Sequence, residues 1–296
     1  LANEIVGRNV MDQRIIDLYN DYVHSAMSRR AFLARLAVLA GGAAAAAALL
    51  PLLEGGDAQA AVIDPEDGRI AGARVSFPGA SGPVKAYAAR AAAAQGLLPG
   101  VVVIHENRGL TPHIEDIARR LALAGFHALA VDALSPLGGT PADRDAARDM
   151  IGALDPATTL GDYAAALDWL KGQAGVNGKA GAVGFCWGGA MVGRLAVSAP
   201  QMDAGVVFYG AQPPEAGVAK ITAPLLLHYA ALDARITGGA AAFAAALARE
   251  DKTFAMHVYD NVNHAFNNDA RPARFDAGAA DLAMGRTVAF LHAHLG

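Results

Sequence analysis

The residues in this chain best suited to covalent chemistry centre on its single cysteine, which lies in Gly184-Phe185-Cys186-Trp187-Gly188-Gly189. Glycines stand two residues before and two after Cys186, between a run that reads as a strand and one that reads as a helix. A nucleophile on such a sharp strand-to-helix turn projects above the sheet, and side chains at the flanking positions would collide with neighbouring backbone. The helix N-terminus that follows favours a thiolate, because unpaired N–H groups and the helix dipole stabilise negative charge. Set against this, a lone cysteine is more often a small buried hydrophobe than a reagent. A glycine-rich turn can also cradle phosphate, but this one lacks the G-x-G-x-x-G spacing and the lysine of a nucleotide loop.

A thiol nucleophile needs a general base, and the base needs a carboxylate to fix its tautomer. On scaffolds with this kind of turn the chain order is nucleophile, acid, histidine. Cys186, Asp233 and His264 fit that order, Asp233 in Ala230-Ala231-Leu232-Asp233 and His264 in Asn261-Val262-Asn263-His264. Each follows a strand-like run, so both are expected where the C-terminal ends of the strands meet and the cysteine turn opens. His228 and His257 fall inside such runs and read as core or sheet-face residues. Acyl transfer also needs N–H donors for the oxyanion, and the backbone groups of Trp187 and Asn107 stand in the expected places, after the nucleophile and after an early strand. Glu106, in His105-Glu106-Asn107-Arg108-Gly109-Leu110, is expected at the mouth of the same site, beside a group that must lose a proton.

These residues need a scaffold, and the sequence supplies one from Ala61 onward. Val101-Val102-Val103-Ile104 reads as a short buried strand, 114–124 has helical periodicity, and 126–131 returns to strand. The alternation continues with helices at 161–173, 189–199, 239–249 and 279–294, and with strands ending at 185 and spanning 205–209, 224–229 and 253–259. Such alternation predicts an α/β fold, a mostly parallel sheet with helices on both faces, over a catalytic domain at 61–296. The stretch 132–156, rich in Gly, Pro and Asp, reads as a cap or lid loop. A net charge of -4 with no run of Lys and Arg argues against nucleic-acid binding. One cysteine excludes an intrachain disulfide and any multi-cysteine zinc site, and the expected chemistry calls for no cofactor and no metal.

Residues 1–60 form a separate, helical segment. Ser28-Arg29-Arg30-Ala31-Phe32-Leu33 resembles a twin-arginine export motif, followed by an uncharged apolar run at 36–53 and a small-residue cleavage pattern at Ala58-Gln59-Ala60. The first reading is therefore an exported, periplasmic protein. Ile15, Leu18, Tyr19 and Tyr22 lie at helical spacing ahead of the arginines, and a stripe of that kind suggests docking onto protein, with the segment retained in a cytoplasmic chain. A third reading makes the apolar run a membrane anchor.

Taken together, Val-Ile-His-Glu-Asn-Arg-Gly-Leu at 103–110, Gly-Phe-Cys-Trp-Gly-Gly at 184–189, Asp233, and Asn-His-Ala-Phe at 263–266 resemble the dienelactone hydrolase family, over roughly residues 70–296. The resemblance implies an α/β-hydrolase fold that opens small lactones or esters with a triad mapping onto Cys186, Asp233 and His264. It also implies that Glu106 takes the cysteine proton when substrate binds, so that the resting thiol stays neutral. The N-terminal segment resembles that of a bacterial subgroup of the family. Members of this family use arginines near the histidine and the lid to hold a substrate carboxylate. Here the residue four after His264 is Asn268, which leaves Arg108, Arg144, Arg148, Arg271 and Arg274 as candidates for an anion clamp. A homo-oligomer is compatible with the sequence. Two other functions fit the same residues: acyl transfer to an acceptor other than water, and a non-catalytic scaffold with Cys186 as a redox-sensing thiol.

Overall fold

The computed structural model describes residues 11–25, 27–55 and 62–296, so the cleavage pattern at 58–60 and the first ten residues lie outside the described residues. Eight strands form one sheet in the order β1-β2-β4-β3-β5-β6-β7-β8. β1 (Ile70–Gly79) and β2 (Gly82–Ala91) make an antiparallel hairpin, and β2 pairs antiparallel with β4 (His127–Val131). From β4 the sheet is parallel through β3 (Leu98–Ile104), β5 (Val176–Phe185), β6 (Gly205–Phe208), β7 (Leu225–Ala230) and β8 (Phe254–Tyr259). The expected strands are present, and the antiparallel hairpin extends the sheet beyond them.

Strand alternation sorts the core into two layers, because successive side chains on a strand point to opposite faces. Val102 and Ile104 of β3 face the layer containing Tyr163, Leu167, Val192, Leu195 and Phe243. These belong to α6 (Pro156–Lys171), α7 (Trp187–Ser198) and α9 (Ala240–Arg249). Val101 and Val103 face the layer of Ile117, Leu121 and Leu291, from α4 (Pro112–Leu123) and α10 (Ala277–Leu295). All four β3 residues from Val101 to Ile104 are fully buried, which is why that strand reads as an unbroken apolar run.

The stretch read as a lid is a fastened loop. Asp132 accepts hydrogen bonds from the Leu134 and Thr140 backbone N–H groups and from the Thr140 hydroxyl. Asp143 then caps α5 (Arg144–Gly152), accepting from the N–H groups of Asp145 and Ala146. Its Gly, Pro and Asp residues are turn and capping chemistry.

The cover over the strand ends comes instead from the N-terminus, which folds into α1 (Gln13–His24), α2 (Arg29–Ala40) and α3 (Ala43–Glu54). The α1 stripe of Ile15, Leu18, Tyr19 and Tyr22 builds a small core with Phe32, Leu36 and Leu53 of the following helices. Tyr22 stacks on Phe32 with ring centroids 4.4 Å apart and donates its hydroxyl to Asp145 Oδ2 at 2.6 Å. Arg29, the first residue of the twin-arginine-like pair, is ion-paired to Glu54 and to Asp145. Among the described residues no single helix is long and apolar enough to cross a membrane, and α2 and α3, which together have that composition, are bent by 112°.

Candidate active site

Cys186 occupies the sharp turn between β5 and α7 with φ 56 and ψ -113, a left-handed conformation that is costly for a residue with a Cβ. The two flanking glycines make the turn possible. A Cβ on Gly184 would stand 2.1 Å from the Gly188 carbonyl oxygen, and one on Gly188 would stand 2.3 Å from the Ile104 carbonyl oxygen. Trp187 opens α7, so its N–H belongs to the first helical turn, whose donors have no partner within the helix.

Asp233 follows β7 and His264 follows β8, so parallel pairing of the two strands brings the two residues together. His264 Nδ1 donates to Asp233 Oδ2 at 2.6 Å, with both side chains buried. The carboxylate accepts only, so Nδ1 carries the hydrogen and Nε2 faces the site, where it makes no hydrogen bond. Burial pushes the Asp233 carboxyl up, but the hydrogen bond and charge of His264, with Arg235 and the Ile236 N–H, together outweigh it and hold the group below its usual range. Burial pushes His264 down, yet the adjacent Cys186 sulfur and Asp233 outweigh it and carry the imidazole up to about 9.

Glu106 follows β3 and lines the same cavity as Cys186 and His264. Asn268, four residues after His264, donates to Glu106 Oε2 at 2.7 Å, while Oε1 is buried without a partner. Asn107 lines the cavity as well, and its side chain donates to the Val23 carbonyl of α1 at 2.8 Å.

Two findings differ from the sequence reading. The cysteine turn should expose its nucleophile, yet Cys186 is only 8% exposed, because α1 lies across it. His24, the last residue of α1, places Nε2 3.3 Å from Cys186 Sγ and its ring 4.8 Å from that of His264. Burial, with His264 adding to it, holds His24 well below the usual histidine range, so its ring is neutral. The candidate anion clamp is also engaged by other groups. Arg108 donates to the Arg144 carbonyl and pairs with Asp145. Arg271 donates to the Glu54 carbonyl, and Arg274 donates to Asn20 Oδ1 at 3.0 Å beneath the Tyr19 ring. Arg148 lies against the Tyr22 ring, paired with Asp149, and Arg144 lines a separate cavity with Arg29 and Asp143. Of the five, Arg108, Arg271 and Arg274 reach the cavity beside Cys186.

That cavity measures about 20 Å³. It admits about one water molecule, whereas sites for small organic ligands enclose roughly 300–1,000 Å³. Sequence reasoning missed His24 and also Tyr209, whose ring lies 4.9 Å from that of His264 and whose hydroxyl is buried without a partner. His24 ends a legible amphipathic stripe, but nothing local in the sequence states which surface that stripe covers.

A mostly parallel sheet with a strained strand-to-helix turn at Cys186, and with Asp233 and His264 after the following strands, is an α/β-hydrolase fold. The dienelactone hydrolase family model matches residues 84–295, and the chain belongs to that family. A second family model, described as YqhI-like, matches residues 9–42, the segment that holds α1 and α2. A carboxymethylenebutenolidase-like protein of Salmonella typhi is 31% identical over 235 residues, covering 74% of this chain and 87% of its own. A Bradyrhizobium sp. protein named as a probable 2-oxo-3-(5-oxofuran-2-ylidene)propanoate lactonase is 32% identical over 214 residues, covering 68% of this chain and 86% of its own. Among solved structures, a dienelactone hydrolase-like promiscuous phosphotriesterase from metagenomic libraries superposes with a TM-score of 0.70 at 26% identity, over 77% of this chain and all of that one.

Proposed function

We propose that this hydrolase cleaves a small ester or lactone through a thioester on Cys186. The observation that carries the reading is His264, held by Asp233 at 2.6 Å with its free Nε2 in the same buried cavity as the strained Cys186. The sulfur attacks the carbonyl carbon, and the backbone N–H groups of Trp187 and Asn107 receive the negative charge that builds on oxygen. When the tetrahedral adduct collapses, the C–O bond breaks and the leaving alkoxide takes a proton from His264. In a lactone that alkoxide stays tethered to the acyl group. Water, deprotonated by His264, then releases the acid and regenerates the thiol. Glu106, anchored through one oxygen by Asn268, has its other oxygen free to take the thiol proton as substrate arrives and hand it to His264 Nε2, which holds it for the leaving alkoxide. The Bradyrhizobium relative's lactonase name supports a lactone as the substrate class. No cofactor takes part in these steps.

A cavity of about 20 Å³ holds no ester, so substrate reaches Cys186 only when α1 moves away. The test of the mechanism is to quench the enzyme with an activated aryl ester and map the acylated peptide by mass spectrometry. The acyl mass is expected on the peptide holding Cys186. Sustained hydrolysis with the acyl group on another residue, or on none, overturns the reading.

The N-terminal segment is proposed to stay with the catalytic domain as a strap across the site. Support comes from the buried Tyr22, the Arg29 ion pairs and the hydrogen bond from Gln13 to Asn263 at 2.6 Å. The intact mass of the protein from its native host is expected to include residues 13–54. A mature form starting near Ala61 would instead mark the segment as a removed export signal.

A further inference from the structure

The side chains around Cys186 form a constellation that hydrolysis does not need. Cys186 Sγ and the ring nitrogens of His24 and His264 place one donor atom each within 4.8 Å of the others, a group of three potential metal ligands. His24 comes from α1, while Cys186 and His264 come from the catalytic domain. We propose that this is a binding site for a thiophilic divalent cation, of which Zn²⁺ is the model, and that the metal clasps α1 over the nucleophile. The proposal shares Cys186 and His264 with the proposed triad, but it concerns coordination and does not depend on turnover.

Both histidines are oriented as ligands. His24 Nδ1 lies 2.8 Å from the Asn20 carbonyl oxygen, which can only accept, so Nδ1 carries the hydrogen and the Nε2 lone pair is directed at Cys186. His264 is fixed in the same sense by Asp233, and its Nε2 is buried with no hydrogen-bond partner. A carbonyl behind one imidazole and a carboxylate behind the other is the outer-shell support that metal-binding histidines receive. The distances also suit the ion. Zn–S and Zn–N bonds of about 2.3 and 2.0 Å in tetrahedral geometry separate sulfur from nitrogen by about 3.5 Å, and the separation of Sγ from His24 Nε2 is 3.3 Å. The remaining pairs, within 4.8 Å, close by a shift of up to about 1.5 Å.

One thiolate and two imidazoles favour zinc or another soft ion over magnesium or calcium, which take oxygen ligands. Three protein ligands leave a fourth position for water, and the cavity of about 20 Å³ beside Cys186 has room for it. Glu106 lines that cavity and adds negative charge close to the cation. Binding expels one proton, that of the Cys186–His264 pair. While the metal is bound, the sulfur is a ligand and not a nucleophile, and the strap is joined to the domain by a coordinate bond. The enzyme is therefore stored closed and protected, and a chelator or a competing thiol releases it.

The test uses the full chain, reduced and stripped of metal with a chelator. Zn²⁺ is titrated against a chromophoric chelator with metal content read by elemental analysis, and Co²⁺ is added separately for its spectrum. One metal per chain is expected, together with a near-ultraviolet thiolate-to-cobalt band and the intense visible bands of a tetrahedral site. His24→Ala should weaken Zn²⁺ binding by more than the roughly 10- to 100-fold that loss of a supporting partner costs. His24→Gln, which keeps the bulk of the side chain, should behave alike, so a packing defect is told apart from a lost ligand. Cys186→Ser should abolish the thiolate band. Failure to bind Zn²⁺, or equal affinity in wild type and both His24 variants, overturns the proposal. A chain that binds zinc in this way yet forms no acyl-enzyme loses the hydrolase mechanism and keeps the metal site. One that acylates but binds no zinc does the reverse.

Discussion

Cys186→Ala is expected to lower turnover of an activated aryl ester by about 10³-fold or more, since removing a nucleophile leaves only what binding and the oxyanion donors contribute. The fold should survive. The deleted sulfur is small and sits beside a cavity, and alanine bears the φ of 56 no worse than cysteine does, so no large void or new strain is created. Unfolding should shift by no more than about 1 kcal/mol, a few degrees in Tm for a domain of this size. Cys186→Ser should be nearly as damaging, because a hydroxyl ionises far less readily than a thiol and the surroundings are arranged for sulfur. Kinetics on both variants, with melting curves beside them, check the prediction. If Cys186→Ala kept more than a few per cent of the wild-type rate, the nucleophile would have to be sought elsewhere.

The second large effect concerns the strap. Tyr22 is fully buried, stacks on Phe32, donates to Asp145 and carries the Arg148 guanidinium over its ring at 4.9 Å. Truncating a buried aromatic costs about 3–5 kcal/mol. Tyr22→Ala places that cost on docking of α1, because the strap has its own apolar cluster apart from the two layers that flank the sheet. If a closed strap is the barrier, apparent affinity scales with the fraction of open molecules, and the variant should raise kcat/KM for a bulky aryl ester by about 10²-fold or more, until the open form predominates. A small ester should gain less. A fall in kcat/KM with an unchanged melting temperature would mean that α1 forms part of the substrate site.

How far such a site can be read from sequence depends on how local its constraints are. The Cys186 turn was legible because two backbone contacts, Gly184 against Gly188 and Gly188 against Ile104, admit no Cβ and therefore leave glycines in the sequence. Asp233 and His264 were legible through their places after strand-like runs, and β7 and β8 do bring them into contact. The β1–β2 hairpin was not spelled out, because its strands alternate buried and exposed positions irregularly and contain Gly72 and Pro78, which blur a period of two. The stretch at 132–156 misled because aspartates that fasten a loop and residues that leave it mobile have the same composition. The partners of the arginines were hidden for a different reason. Nothing near Arg274 or Arg271 in the sequence shows that Asn20 and Glu54, more than two hundred positions earlier, will claim them.

The contact between Gln13 and Asn263 spans 250 residues, and it sets an order of events during synthesis. α1 to α3 are made first, but the surface they cover is not complete until the loop after β8 has left the ribosome. At about 5–20 residues per second the wait is on the order of ten to fifty seconds. Throughout it the newly made chain carries an alanine-rich helical pair whose docking surface is unfinished. Docking then joins Arg29, which Glu54 of the same segment already reaches, to Asp145 of the domain, so the first part of the chain to be made is the last to find its place.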